Sequence, residues 1–288
     1  MAEIISGRDI AQKIIETDLI PRVKKLNSRE IFPKLVVILV GDHPASASYV
    51  RQKEKFAEKA GIIAETWRFP ETITEDEILA EIEKINNDDE IHGVIVQLPL
   101  PKAISVEKIL AKIDPQKDVD GFTAENVGKL FLNEPCLQCC TPKGIIRMIE
   151  ESGETLEGKK VTVIGRSNIV GKPVAALALN KNATVTVCHS RTKNLAEHLK
   201  KADIIIVAVG RPEMIKGEDL PKGCVVIDVG IHRKEDKSRE RGWRLCGDVD
   251  FQSAKEVVAK ISPVPGGVGP MTVVSLIENT IEAAENKL

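Results

Sequence analysis

Tyr49-Val50-Arg51-Gln52-Lys53 places a phenol and an amine four residues apart, a spacing that puts both on one face of a helix, and Phe56 continues that face. Desolvation beside aromatic rings is an ordinary route by which a lysine comes to exchange protons near neutrality. Arg51, Lys55 and Lys59 crowd the same stretch, and periodicity alone does not separate a working lysine from a solvated one. Gln97 closes the apolar run His92–Leu98, just before Pro99-Leu100-Pro101, where a polar amide must find a partner. Asp120 stands in Asp118-Val119-Asp120-Gly121, a turn able to present a carboxylate. Each of these could be structural when taken singly. Taken together, Lys53, Gln97 and Asp120 offer an amine, an amide and an acid at loop edges, a set suited to a planar heterocycle with N–H donors.

A second constellation follows the apolar run Lys160–Ile164, which leads directly into Gly165-Arg166-Ser167-Asn168-Ile169-Val170-Gly171 and a helix start near Lys172-Pro173. Free N–H groups and the dipole at a helix start favour a pyrophosphate. The glycines stand six apart, so this is not the usual G-x-G-x-x-G fingerprint, and a plain strand–loop–helix joint is the alternative reading. The next strand, Thr184–Cys188, ends in His189-Ser190-Arg191-Thr192. A dinucleotide site specific for NAD carries an acid at that point to hold the ribose 2′-OH. Here a hydroxyl and a guanidinium stand there instead, with Arg166 as a second cation. Such charge-assisted donors suit a 2′-phosphate, and the expected cofactor is NADP. A solvated loop arginine is the plainer alternative for Arg191. Asp228 reads as structural, and His189 and His232 as loop or cofactor-adjacent residues.

These residues need a frame, and the chain supplies alternating strands and helices. Lys34–Val40 is a strand stopped at Gly41. The helix after it has Ser46 or Ser48 as its cap and Gly61 as its end. A short strand around Thr66–Phe69, a helix over Glu75–Asn86 and the strand His92–Leu98 complete the first half. Thr141-Pro142 looks like an N-cap with proline at the first helical position, opening a helix that bridges two domains. Strands are then expected at Lys160–Ile164, Thr184–Cys188, Ile204–Val209 and Val225–Val229. The loop Pro263–Pro270 precedes a last helix over Met271–Ala284. The expected class is α/β in two domains: an N-terminal α/β catalytic domain and a C-terminal Rossmann-like, doubly wound parallel sheet.

Composition narrows the function classes. Lys and Arg number 41 against 43 Asp and Glu, a formal net charge of -2, so no basic excess points to nucleic acid. No apolar stretch approaches the ~20 residues that span a bilayer. The opening residues carry acids early and do not read as a signal peptide, which makes the cytoplasm the default compartment. Six cysteines include Cys136, Cys139 and Cys140, but no second CxxC or His pair completes a zinc set. Reduced, structural thiols and no metal are expected.

Five segments in one order carry a wider likeness: Ser46–Lys53, Gly93–Pro101, Lys117–Gly121, Gly165–Pro173 and Pro265–Thr272. Across nearly its whole length the chain resembles the bifunctional methylenetetrahydrofolate dehydrogenase/cyclohydrolase family. The resemblance implies that Lys53 is the catalytic lysine, that Gln97 positions it, that Tyr49 stacks on the folate and that Asp120 binds the pterin. Leu98 and the loop carrying Pro265, Gly266 and Gly267 would line the folate site. Gly165, Arg166, Ser167, Ile169, Gly171, Ser190, Arg191 and Ile231 would hold NADP. It also implies tetrahydrofolate derivatives as substrates and a homodimer formed through the dinucleotide domains. The domain division would be 1–140, completed by the helix 267–288, and 141–266. One departure is visible: Cys139 stands where the family commonly has proline, which would loosen that loop. Three rivals are weighed against this reading. A Rossmann oxidoreductase for a small hydroxy or keto acid needs a His–acid pair, and none is evident in the sequence. The others are a non-catalytic NADP binder and a dehydrogenase without the hydrolase.

Overall fold

The structure is a computed structural model that describes residues 1–41, 44–240 and 242–286, with backbone alone for 44–48. The chain forms two compact units, one of Gln12–Cys140 with Val273–Leu288, the other of Met1–Ala11 with Thr141–Thr272. It opens with β1 (Glu3–Ile4) and α1 (Gly7–Ile14), and a π-helical turn over Ile15–Leu19 leads into α2 (Ile20–Asn27).

In the first of these units, β2 (Lys34–Val40), β3 (Ile63–Phe69) and β4 (Gly93–Val96) make a parallel sheet in the order β3-β2-β4. The central strand reads KLVVILV because both of its faces are covered, and Leu35–Val40 are all buried. The helices are α3 (Pro44–Ala60), α4 (Glu75–Asn87), α5 (Val106–Lys112) and α6 (Ala124–Leu132). Thr74 and Glu77 close a reciprocal capping box on α4, which buries Ile78, Ile82 and Ile85 against Val36 and Ile38 of the sheet. Each of those isoleucines contributes about 2 kcal/mol by burial. The backbone of α3 begins at Pro44, so Ser46 and Ser48 lie inside the helix and not at its cap; their side chains lie outside the described residues.

The other unit holds a six-stranded parallel sheet in the order β1-β11-β8-β7-β5-β6, from β5 (Lys160–Ile164), β6 (Thr184–Cys188), β7 (Ile204–Val207), β8 (Val225–Asp228) and β11 (Lys260–Ile261) with β1. β5 pairs with β6 on one side and β7 on the other, so the strand order reverses beside it. In open α/β sheets ligands bind at the carboxyl ends of strands at such a reversal. The connections are α7 (Cys140–Glu151), α8 (Gly171–Asn180), α9 (Leu195–Leu199), a 3-10 turn at Gly217–Asp219 and α10 (Phe251–Ala254), with α11 (Val268–Glu285) last. An antiparallel hairpin, β9 (His232–Glu235) and β10 (Trp243–Cys246), stands apart from the main sheet. α7 already includes Cys140, which corrects the reading of Thr141 as its cap; Pro142 falls in the first turn, where proline is tolerated. α11 starts at Val268, ahead of the expected Met271. No helix among the described residues is long and apolar enough to cross a membrane.

Candidate active site

Lys53 lies in α3, one turn beyond Tyr49, and its Nζ donates to Oε1 of Gln97 at 3.1 Å. Gln97 follows β4, and its own Nε2 donates to the Leu98 carbonyl at 2.8 Å. The amide is thereby turned so that its oxygen faces the lysine. Asp120 is half-buried and close enough for the Lys53 charge to act on its carboxyl. Burial pushes that carboxyl above the ordinary range and neighbouring Asp118 adds to the rise, while Lys53 and a hydrogen bond from Cys140 oppose it. The structure therefore brings Lys53, Gln97 and Asp120 together. Tyr49 is 47% exposed on the same helix.

The turn carrying Asp120 is held from three sides, by groups that sequence reading passed over. Buried Lys117 donates from Nζ to the carbonyls of Ile85 (2.6 Å), Asn86 (2.9 Å) and Asp88 (2.6 Å), which caps the carboxyl end of α4 with a cation. Asp118, also buried, accepts from the N–H groups of Gly121 and Thr123 and from Asn126 Nδ2. Asn279 of α11 donates to the carbonyls of Val119 and Gln138, both at 2.8 Å. Cys139 does not loosen the adjoining segment: it is fully buried, its thiol donates to the Gly121 carbonyl at 2.9 Å, and burial pushes the thiol up to about 12. All six cysteines are free thiols.

In the sheet of the other unit, Ile164 of β5 lies opposite Cys188 of β6, so Arg166 and Ser190 each stand two residues beyond neighbouring strand ends. Arg166, Ser167, Ser190 and Arg191 are exposed there, and no acid occurs in Gly165–Gly171 or His189–Arg191. That donor set fits a dinucleotide carrying an extra phosphate. Gly165 has φ +125°, and a Cβ on it would lie 2.1 Å from the Ala208 carbonyl oxygen, so only glycine lets the loop pass so close to the next strand end. Ser167 Oγ accepts from the N–H groups of Val170 and Gly171 at 3.2 and 3.3 Å, which folds the loop onto the start of α8. His189 Nδ1 accepts from the Arg191 N–H at 3.1 Å, a loop-forming role. Ile169 and Ile231 are exposed apolar residues after β5 and β8, as ring-covering groups require. Pro265 is exposed after a cis Val264–Pro265 bond, Gly266 is half-buried and Gly267 buried.

Sequence reading found no His–acid pair, and the structure contains one: His232 Nε2 lies 2.8 Å from Asp248 Oδ1. The two are sixteen residues apart, on either side of the hairpin, and only the folded chain joins them. Asp248 is wholly buried and also accepts from the N–H groups of Val209, Gly210 and Arg211. A carboxylate so engaged is a structural anchor, so the pair does not supply the catalytic dyad of a hydroxy-acid dehydrogenase. Asp228 is buried beside it, accepting from the N–H groups of Gly230, Asp248 and Val249. Burial pushes the Asp228 carboxyl up to about 6, against the pull of those three donors and with the Asp248 charge adding to the rise.

Known proteins agree with this layout. Residues 5–120 match the family described as Tetrahydrofolate dehydrogenase/cyclohydrolase, catalytic domain, and residues 139–288 match its NAD(P)-binding domain. The chain is 50% identical over 287 residues to the Bifunctional protein FolD of Geotalea daltonii, covering 100% of both. It is 51% identical over 285 residues to the protein of that name from Bacillus cereus, covering 99% of this chain and 97% of the relative. Among solved structures, the bifunctional FolD methylenetetrahydrofolate dehydrogenase/cyclohydrolase of Campylobacter jejuni superposes with a TM-score of 0.95 at 43% identity, over 100% of both chains. The Trypanosoma brucei methylenetetrahydrofolate dehydrogenase-cyclohydrolase, solved with NADP cofactor and inhibitor, gives 0.92 at 37% identity, over 99% of this chain and 98% of that one. With both halves matched in order over nearly its whole length, the chain belongs to the tetrahydrofolate dehydrogenase/cyclohydrolase family.

Proposed function

We propose that this chain catalyses two consecutive steps on one folate: NADP-dependent oxidation of 5,10-methylenetetrahydrofolate to 5,10-methenyltetrahydrofolate, then hydrolysis to 10-formyltetrahydrofolate. The observation that carries this reading is the Lys53 amine held at 3.1 Å by a Gln97 oxygen, with Asp120 close by. Bound NADP supplies the acceptor for the hydride that leaves the methylene carbon. The methenyl product is a cation, its charge shared by two nitrogens. Water adds to the methenyl carbon, and the bond from that carbon to N5 then breaks, leaving the formyl group on N10. Lys53 takes a proton from the attacking water and is the group that returns one to N5, while the proton of the hydroxyl left on the carbon departs to solvent as the formyl C=O forms. It works best neutral in the approach, since an ammonium repels the cation. Gln97 fixes the amine, Asp120 accepts hydrogen bonds from the pterin, and Tyr49 stacks on its plane. Leu98 and the loop Pro265, Gly266 and Gly267 line the folate.

Gly165, Ser167 and Gly171 shape the loop for the pyrophosphate, Arg166, Ser190 and Arg191 take the 2′-phosphate, and Ile169 and Ile231 cover rings. We further place the protein in the cytoplasm as a homodimer. One assay tests the central reading: formation and decay of the methenyl compound are followed with methylenetetrahydrofolate and either NADP or NAD. Lys53→Met should abolish methenyl decay while NADP affinity stays within about three-fold. Unchanged hydrolysis in that variant removes Lys53 from the mechanism.

A further inference from the structure

Asp248 lies in the crossing segment after β10 and has no exposed surface, an expensive place for a carboxylate unless donors surround it. Four do. Oδ2 accepts from Val209 N (2.7 Å) and Gly210 N (3.0 Å), and Oδ1 accepts from Arg211 N (2.8 Å) and faces His232 Nε2 (2.8 Å). The first three donors are successive residues just past β7; His232 opens β9, just past β8. β7 and β8 are paired neighbours, so one side chain ties the loops at two adjacent strand ends. Packing leaves these loops little freedom. A Cβ on Gly230 would lie 2.4 Å from the Asp248 N and 2.5 Å from its Cγ, and Asp228 accepts the Gly230 N–H at 3.0 Å. Between the two anchors sits Ile231, its side chain turned out and 52% exposed.

Successive backbone N–H groups at a strand end form a concavity that attracts anions. Here the protein fills that concavity with its own carboxylate. A phosphate meeting this sheet edge finds the donors past β7 already taken. We propose that Asp248, with Asp228 and His232, is a positioning residue of the cofactor site: it sets the loops past β7 and β8 so that Ile231 faces the dinucleotide, and it denies the donors past β7 to the pyrophosphate. This rests on the reading of Ile231 as a cofactor contact.

The test uses the full-length protein, NADP affinity by titration calorimetry and methenyl hydrolysis, which consumes no cofactor. Asp248→Asn removes the charge and one acceptor. It should weaken NADP binding about ten-fold, with hydrolysis kept within about two-fold. His232→Leu should move NADP affinity the same way by a smaller factor, and His232→Gln, whose amide restores a donor, should recover it. NADP affinity unchanged in both Asp248→Asn and His232→Leu overturns the proposal. So does joint loss of binding and hydrolysis in Asp248→Asn with His232→Leu indistinguishable from wild type, because the carboxylate would then serve folding alone. A wild-type protein that binds no NADP, or hydrolyses no methenyl compound, refutes the functional reading instead, a separate outcome.

Discussion

Arg166 and Arg191 follow neighbouring strands, with Ser190 and no acid in the segments Gly165–Gly171 and His189–Arg191, and selectivity for NADP over NAD should reside there. Arg166→Ala or Arg191→Ala is expected to weaken NADP binding by about ten-fold while NAD is little affected, since a guanidinium–phosphate bond is charge-assisted and NAD lacks the 2′-phosphate. Titration of each variant with both cofactors checks it, and equal losses for the two would contradict the 2′-phosphate role. At this scale the sequence was most informative where a side chain follows a strand or sits in a marked turn: Gln97, Arg166 and Ser190 follow strands, and Asp120 lies in a turn, as their neighbours indicated. Apart from the family resemblance, which linked Gln97 to Lys53, it was silent on groups whose partners are remote. The Lys53–Gln97 bond spans 44 residues, and the Asn279–Val119 bond 160. Nothing in the local pattern around either residue names the other.

Elements with a strong apolar period were legible. Lys34–Val40 and Lys160–Ile164 form over the expected residues because a strand buried on both faces reads as a nearly continuous run of apolar and β-branched residues. The hairpin of β9 and β10 was missed because β9, His-Arg-Lys-Glu, is polar and largely exposed, β10 is only four residues long, and the pair is held by features such as Arg233 stacked 4.6 Å over Trp243. β1 and β11 are two-residue strands, too short for any period. Lys117 couples two elements that the sequence presents as separate, the end of α4 and the Asp120 turn. Lys117→Met leaves three carbonyls at a buried helix end without that donor. It should cost about 2–4 kcal/mol in urea denaturation, as hydrogen bonds to a charged donor are among the stronger ones. A loss below about 1 kcal/mol would show that the α4 end is satisfied without it.

For the molecule as a whole, Asp228 ties stability to pH. Its folded-state carboxyl, at about 6, stands above the ordinary 3.8. Protonation therefore favours the fold: the contribution is complete below about 3.8 and is lost as the pH rises through about 6. At about 1.4 kcal/mol per pH unit this amounts to about 3 kcal/mol. Urea unfolding of the wild type and of Asp228→Asn between about pH 4 and 7 should show the wild type losing that increment relative to the variant. Parallel curves for the two proteins would remove Asp228 as the source. The chain passes from one compact unit to the other after Ala11, after Cys140 and after Thr272. During synthesis, residues 12–140 leave the ribosome long before Val273–Leu288, yet the amide of Asn279 holds the Val119 carbonyl, which adjoins Asp120, together with that of Gln138. The nascent polypeptide thus carries Lys53 and Gln97 before the turn bearing Asp120 has met its late-arriving keystone, so activity should switch on only after Asn279 has been made.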